Sequence, residues 1–164
     1  QAAVCNDPPL AAEANAPTLG KQVSPTTMAS VTPAKLASAK IRVLNASGHG
    51  GQAAEVSSAL RDLGFAQPTA ANDPVYNNTK LSCQGQIRFG DNGKAAAAAL
   101  WLVAPCTELF SDGRDDDSVD LAVGTDFTTL THNDDIDAVL AGLRPDATEP
   151  ADPALIAKIH AASC

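Results

Sequence analysis

Ile41, Val43 and Leu44 form a short apolar run that reads as a buried strand, and Ala53, Val56, Leu60 and Leu63 then recur at helical spacing on one face. Asn45 to Gly51 between them is a glycine-rich turn, and Gly64 stands where a helix ends in the left-handed conformation. The pattern predicts a strand over 41–46, a helix over 50–63 and a weak strand near 65–71, where the residues are mostly small and polar. After a turn at Asn72-Asp73-Pro74 it predicts a strand over 80–89, a turn at Gly90-Asp91-Asn92-Gly93 and a helix over 94–104. A charged loop over 111–117 and a strand over 118–124 follow. The order βαββαβ makes two βαβ-like halves, and so an α/β two-layer sandwich with both helices on one sheet face.

Both ends decorate this core. Residues 1–39 hold Pro8, Pro9, Pro17, Pro25 and Pro33 among Ala, Ser and Thr, and read as an extended arm lying on the domain or leading from a membrane. Residues 40–127 are the domain itself. In the tail, 128–164, Asn133 is placed to cap a helix running to Leu143, and Asp152-Pro153 to start another. Asp134, Asp135 and Asp137 suit the first turn of the former.

Composition changes this picture in three ways. Aromatic residues are only 4% of the chain, so the core is built from Ala, Val, Leu and Ile. The net charge of −8 is uneven: 12 of the 19 acids lie between Asp112 and Asp152, where the only bases are Arg114 and Arg144. That end repels a phosphate backbone or an anionic lipid surface, so no nucleic-acid partner is expected. No apolar run reaches the length of a membrane span; the longest, Ala95 to Pro105, reads as a core helix.

The four cysteines are even in number and lack metal spacing, and His49, His132 and His160 are dispersed. Two disulfides in an oxidising compartment fit better than zinc or four buried thiols. Helix 94–104 should return toward the start of strand 80–89, which pairs Cys83 with Cys106. That bond closes a loop of 23 residues, a gain of roughly 3 kcal/mol by chain entropy. Cys5 with Cys164 follows by elimination.

Three stretches carry a resemblance. A strand ending in Val43-Leu44-Asn45-Ala46-Ser47-Gly48, a helix ending in Leu60-Arg61-Asp62-Leu63-Gly64-Phe65, and a strand ending in Val123-Gly124-Thr125-Asp126-Phe127 resemble the LytR C-terminal domain of actinobacterial envelope proteins. The likeness runs from about Lys40 to Phe127 and departs from the family between Phe65 and Val75. It implies a non-enzymatic, exported module that supports cell-envelope integrity, with an envelope macromolecule (glycan, lipid or protein) as unidentified partner. It also implies an extracellular or periplasmic domain held by a single membrane helix preceding Gln1, so that Gln1-Ala2-Ala3-Val4-Cys5 is expected to begin a chain whose anchor has been removed.

Candidate chemistry is sparse. The turn Ser47-Gly48-His49-Gly50-Gly51 lies between a strand and a helix N-terminus, where free N–H groups attract anions. Ala53 rules out the dinucleotide fingerprint, and no Lys follows the glycines as a P-loop requires. The turn is therefore either a structural device or a contact for a ligand. Asp112, Asp115, Asp116, Asp117 and Asp120 either form a solvated, repelling loop or bind calcium, although their order does not follow the EF-hand. No serine or cysteine stands in a nucleophile motif, and no catalytic residue, metal site or cofactor is predicted. Trp101 is expected to lie under the arm or the C-terminal helices; the alternative is a groove for lipid or glycan. The rival functional readings are an envelope glycan- or lipid-modifying enzyme and a receptor for a small anionic ligand.

Overall fold

The alternation of side chains along the strands sorts the molecule into two faces. Ile41, Val43, Ile87, Phe89, Leu109, Val119, Leu121 and Val123 share one hydrophobic cluster with the helices, whereas Leu44, Phe110 and Ala122 belong to a second cluster on the other side. The structure is a computed structural model describing residues 4–8, 19–76 and 78–162. Its strands are β1 (Lys21–Val23), β2 (Lys40–Asn45), β3 (Thr69–Asn72), β4 (Gly85–Phe89), β5 (Glu108–Ser111) and β6 (Ser118–Val123). The helices are α1 (Pro25–Ala29), α2 (Gln52–Leu63), α3 (Lys94–Val103), α4 (Asp134–Gly142) and α5 (Pro153–Ala162).

The strands form one six-stranded sheet in the order β1-β5-β4-β6-β2-β3. β2 and β3 run parallel through α2, and β4 and β5 run parallel through α3. β6 joins the halves, parallel to β2 and antiparallel to β4. The mixed α/β architecture and the first βαβ unit are those read from the sequence; the second unit closes on β5 and not on the 118–124 strand, which as β6 runs antiparallel to β4.

α2 is amphipathic, burying Ala53, Val56, Ser57 and Leu60, and stops at Gly64, whose φ of 112° is the left-handed cap. α3 differs, because every residue from Ala96 to Val103 is buried. It lies between the sheet and an outer layer that includes Met28 of α1, Leu36, and Ile136, Val139, Leu140 and Ile159 of the tail helices. Its alanines keep a two-sided helix thin enough to fit. At Gly124 the backbone runs so close to the loop before β4 that a Cβ would sit 2.1 Å from the Cys83 carbonyl oxygen.

Several expectations change. Part of the proline-rich arm is ordered structure: Ser24 caps α1 through its side chain, with Pro25 at the first helical position, and β1 adds antiparallel to β5. Glu108 to Ser111, expected to connect a helix to a charged loop, is β5. Strand 80–89 contracts to β4, because Leu81 and Cys83 leave the sheet plane to cover its second face. Asn133 caps α4 as expected, accepting from the Ile136 N–H at 2.9 Å.

The disulfide pairing is also corrected. Cys83 is bonded to Cys5, not to Cys106. Cys83 sits in the second cluster with Leu44, Tyr76 and Phe110, while α3, which leads to Cys106, packs in the first. The chain does return to the correct end of the sheet, but on the opposite side. Cys106 is itself disulfide-bonded. The expected partnership of Cys164 lies outside the described residues.

Candidate functional site

The Ser47–Gly51 turn spends most of its donors on itself. Asn45 Oδ1 accepts from the N–H groups of Ser47 (3.0 Å) and Gly48 (3.2 Å), and Ser47 Oγ accepts from the His49 N–H (3.1 Å). Asn45 Nδ2 donates to the His49 carbonyl at 2.6 Å. The Ser47 hydroxyl donates to Gln52 Oε1, and Gln52 Nε2 donates to the Phe127 carbonyl at 3.2 Å. Three N–H groups that an anion would need are thus committed, and the side chains of Asn45, Ser47 and Gln52 lock the strand-to-helix turn onto the loop that follows β6. Ser47 is buried, whereas Gly48, His49, Gly50 and Gly51 are exposed. This bonding supports the structural reading of the turn.

The densest polar chemistry lies elsewhere, on the sheet face away from the helices. Arg88 of the central strand β4 is buried, and donates from Nη1 to Asp73 Oδ1 at 2.6 Å and from Nη2 to Asp73 Oδ2 at 3.0 Å. Its Nη2 also reaches Gln86 Oε1 at 2.9 Å. Asp73 is buried too, and accepts from the N–H groups of Val75 and Tyr76. One carboxylate therefore neutralises the arginine and folds the following loop over it. The Tyr76 ring lies 5.8 Å from the Arg88 guanidinium, and its hydroxyl donates to the Asn6 carbonyl at 2.6 Å. Burial pushes the Tyr76 pKa up.

A strap of N-terminal residues completes this layer. Asn6 donates from Nδ2 to the Lys80 carbonyl and accepts from the Ser82 N–H at 2.8 Å, while Cys5 is bonded to Cys83. Glu108 Oε2 accepts from the Cys5 N–H and from Gln22 Nε2, both at 3.4 Å. The sequence held one signal for this arrangement. Gln86 and Arg88 alternate with Ile87 and Phe89 in a strand that the topology buries on both faces, so each needed a partner.

The acidic loop resolves into ion pairs as well as solvated charge. Asp120, nearly buried on β6, receives Arg42 Nε and Nη2, each at 2.9 Å, and Arg114 Nη2 at 2.9 Å. Burial alone would raise its pKa, but the hydrogen bonds from Arg42 and Arg114 hold it below the usual carboxylate range. Both guanidinium pKa values are raised in return. Asp112 also pairs with Arg114, and Asp117 with Lys40 at 3.2 Å. Among the described residues, no cluster of three or more acidic, histidine or cysteine groups is arranged to hold a metal ion.

Trp101 lies beneath the C-terminal helix, stacked on His160 of α5 with ring centroids 3.7 Å apart. Desolvation lowers the His160 pKa to about 4. The indole Nε1 is buried with no hydrogen-bond partner among the described residues.

The sequence signature of the LytR_C family, described as LytR cell envelope-related transcriptional attenuator, matches residues 38–127. The chain belongs to the LytR C-terminal domain family. The matched span begins just before β2 and ends at Phe127, so β1, α1, α4 and α5 are additions to the family module. The chain is 71% identical over 164 residues to the Cell envelope integrity protein Cei of Mycobacterium tuberculosis (strain ATCC 25618 / H37Rv), covering all of this chain and 76% of that protein. It is also similar to the crystal structure of the soluble domain of a conserved hypothetical secreted protein from Mycobacterium marinum. That likeness has a TM-score of 0.88 and 74% sequence identity, covering 89% of this chain and 99% of the other.

Proposed function

We propose that this LytR_C domain is an exported module that supports cell-envelope integrity through binding and not through catalysis. The observation that carries the reading is the identity of 71% across the full chain to a protein named for cell-envelope integrity. The cysteine chemistry supports it: Cys5–Cys83 is formed and Cys106 is disulfide-bonded, as suits an oxidising compartment. The fate of the ionisable groups supports it too. Asp73, Asp120 and Asp112 are each committed to ion pairs with arginines, and the pairing of Asp120 with Arg42 and Arg114 holds its pKa down, the opposite of what a proton donor needs. Among the described residues no helix is long and apolar enough to cross a membrane. Membrane attachment, in this reading, comes from sequence N-terminal to the arm.

Complementation tests this reading. A deletion strain carrying full-length protein with His49→Ala, Glu108→Ala or Gln86→Ala should keep wild-type detergent resistance wherever the variant folds. Loss of the domain or of its anchor should abolish resistance. Complete loss of resistance from a well-folded Glu108→Ala protein would favour the enzyme instead, because Glu108 is the partly exposed carboxylate that lines a cleft beside the strap.

A further inference from the structure

α1 and the residues after it meet the α4–α5 connection around a half-enclosed apolar cavity of about 210 Å³. Its walls include Val31, Pro33, Leu143, Pro150 and Ile156. All of its lining residues fall outside the span matched by the family signature, in the additions at the two ends. The cavity is therefore built by these additions and not by the matched module.

Apart from backbone groups and the hydroxyls of Ser30 and Thr32, its lining has one polar side chain, Lys35. The Lys35 ammonium donates to the Gly142 carbonyl at 3.1 Å, which holds it at the C-terminal end of α4, and it forms no ion pair among the described residues. The neighbouring acids Asp146, Glu149 and Asp152 line an adjoining cleft with Arg144, which shares Gly142, Pro150 and Ala151 with the cavity, but none of the three acids is part of the cavity lining. An apolar recess with a single uncompensated cation in its lining matches a molecule with an apolar tail and a negative head.

We infer that this cavity binds the chain of a single-tailed anionic amphiphile, with the tail against Val31, Pro33, Leu143 and Ile156 and the head at Lys35. The assignment rests on the reading of the domain as a binding module and names the ligand class. Ile156 lies one helical turn before His160, which stacks on Trp101, the only tryptophan of the chain. Occupancy of the cavity is thereby connected to an intrinsic fluorophore.

The test is calorimetric titration of the whole chain with decanoate below its micelle-forming concentration, with decanol as the neutral-headed control and Trp101 emission as a second readout. Decanoate should bind one to one. Lys35→Gln should weaken decanoate by about three- to fivefold, the size expected of an exposed charge contact, and leave decanol unchanged. Ala29→Phe, which fills the cavity from the exposed side of α1, should abolish binding of both while leaving the thermal midpoint near wild type. If that variant unfolds, Ser30→Trp serves the same purpose from the neighbouring lining position. Absence of saturable decanoate binding, or equal binding by the cavity-filled protein, overturns the site. Equal loss of decanoate and decanol in Lys35→Gln overturns the placement of the head. Either failure leaves the complementation result standing, so the cavity and the envelope role are judged separately.

Discussion

The two faces of the sheet are stabilised by different chemistry. The helix face is hydrocarbon, with α2 and α3 laid on Ile41, Val43, Ile87, Phe89, Val119, Leu121 and Val123. The opposite face places Arg42, Asp120, Arg88 and Phe110 side by side along one rung of β2, β6, β4 and β5. It covers them with a loop and a strap whose own apolar side chains are few. Burial on the helix face is non-directional, so residues of similar volume can replace one another there. The polar face depends on named partners, because a buried charge that loses its counter-ion keeps its desolvation cost.

Mutations that remove one partner should expose the contrast most strongly. Cys5→Ser frees a strap that is otherwise closed by a bond spanning 78 residues of sequence. The expected loss is about 4 kcal/mol in the chain-entropy estimate, read as a lower denaturant midpoint under non-reducing conditions. A peptide map of the wild type should recover Cys5 joined to Cys83. Asp73→Ala strands the Arg88 guanidinium and two backbone N–H groups, and should cost about 3–5 kcal/mol in the same assay. On the helix face, Leu100→Ala should cost about 2–5 kcal/mol, but Leu100→Met less than about 1.5 kcal/mol, because only volume matters there. Equal tolerance of Arg88→Met and Leu100→Met would erase the distinction between the faces.

Acid separates them more gently. The folded-state pKa of Asp120 is below its unfolded value, so its contribution is present above the ordinary carboxylate pKa and fades as pH falls through the depressed value. His160, on the helix side, acts in a different window. Its folded pKa of about 4 lies below the ordinary histidine value, so the unfolded chain takes up the proton first. Stability should therefore fall as pH drops from about 6.5 toward 4. His160→Phe keeps an aromatic partner for Trp101 and should flatten that part of a thermal-midpoint profile. A profile identical to wild type would show that the imidazole remains solvated.

The helix face was legible in the sequence because its signal is local, a repeat or a run of apolar residues. β2, α2 and β6 each repeat apolar residues with their own period, α3 is an unbroken apolar run of helical length, and Asn133 marks the start of α4 by its side-chain chemistry. β1 and β5 carry no such mark. Three or four residues cannot establish a period, and β1 is mostly exposed, so its place comes from pairing with β5. The polar face was hidden for a different reason. Asp73 reads as a turn residue and the 112–117 run as solvated charge until the register brings Arg88 and Asp120 onto one rung. The cysteine pairing turned on the same question of face. Sequence spacing brings Cys106 to the right end of β4, but only the packed structure shows that Cys83 points to the opposite side.

The Cys5–Cys83 bond also determines how the domain bears a load. Any pull arriving through the N-terminal side of Cys5 passes across that bond to the residues just before β4, a strand held between β5 and β6. The stretch from Asn6 to Ser82, with β1, β2, β3, α1 and α2, is bypassed as slack within a covalent loop. Tension is thus borne by the interior of the sheet, where both neighbouring ladders must fail together. With the bond reduced, the same pull would act first on the hydrogen bonds of Asn6 and then on the short edge strand β1. The oxidised domain resists as a block, and the reduced one peels from its edge.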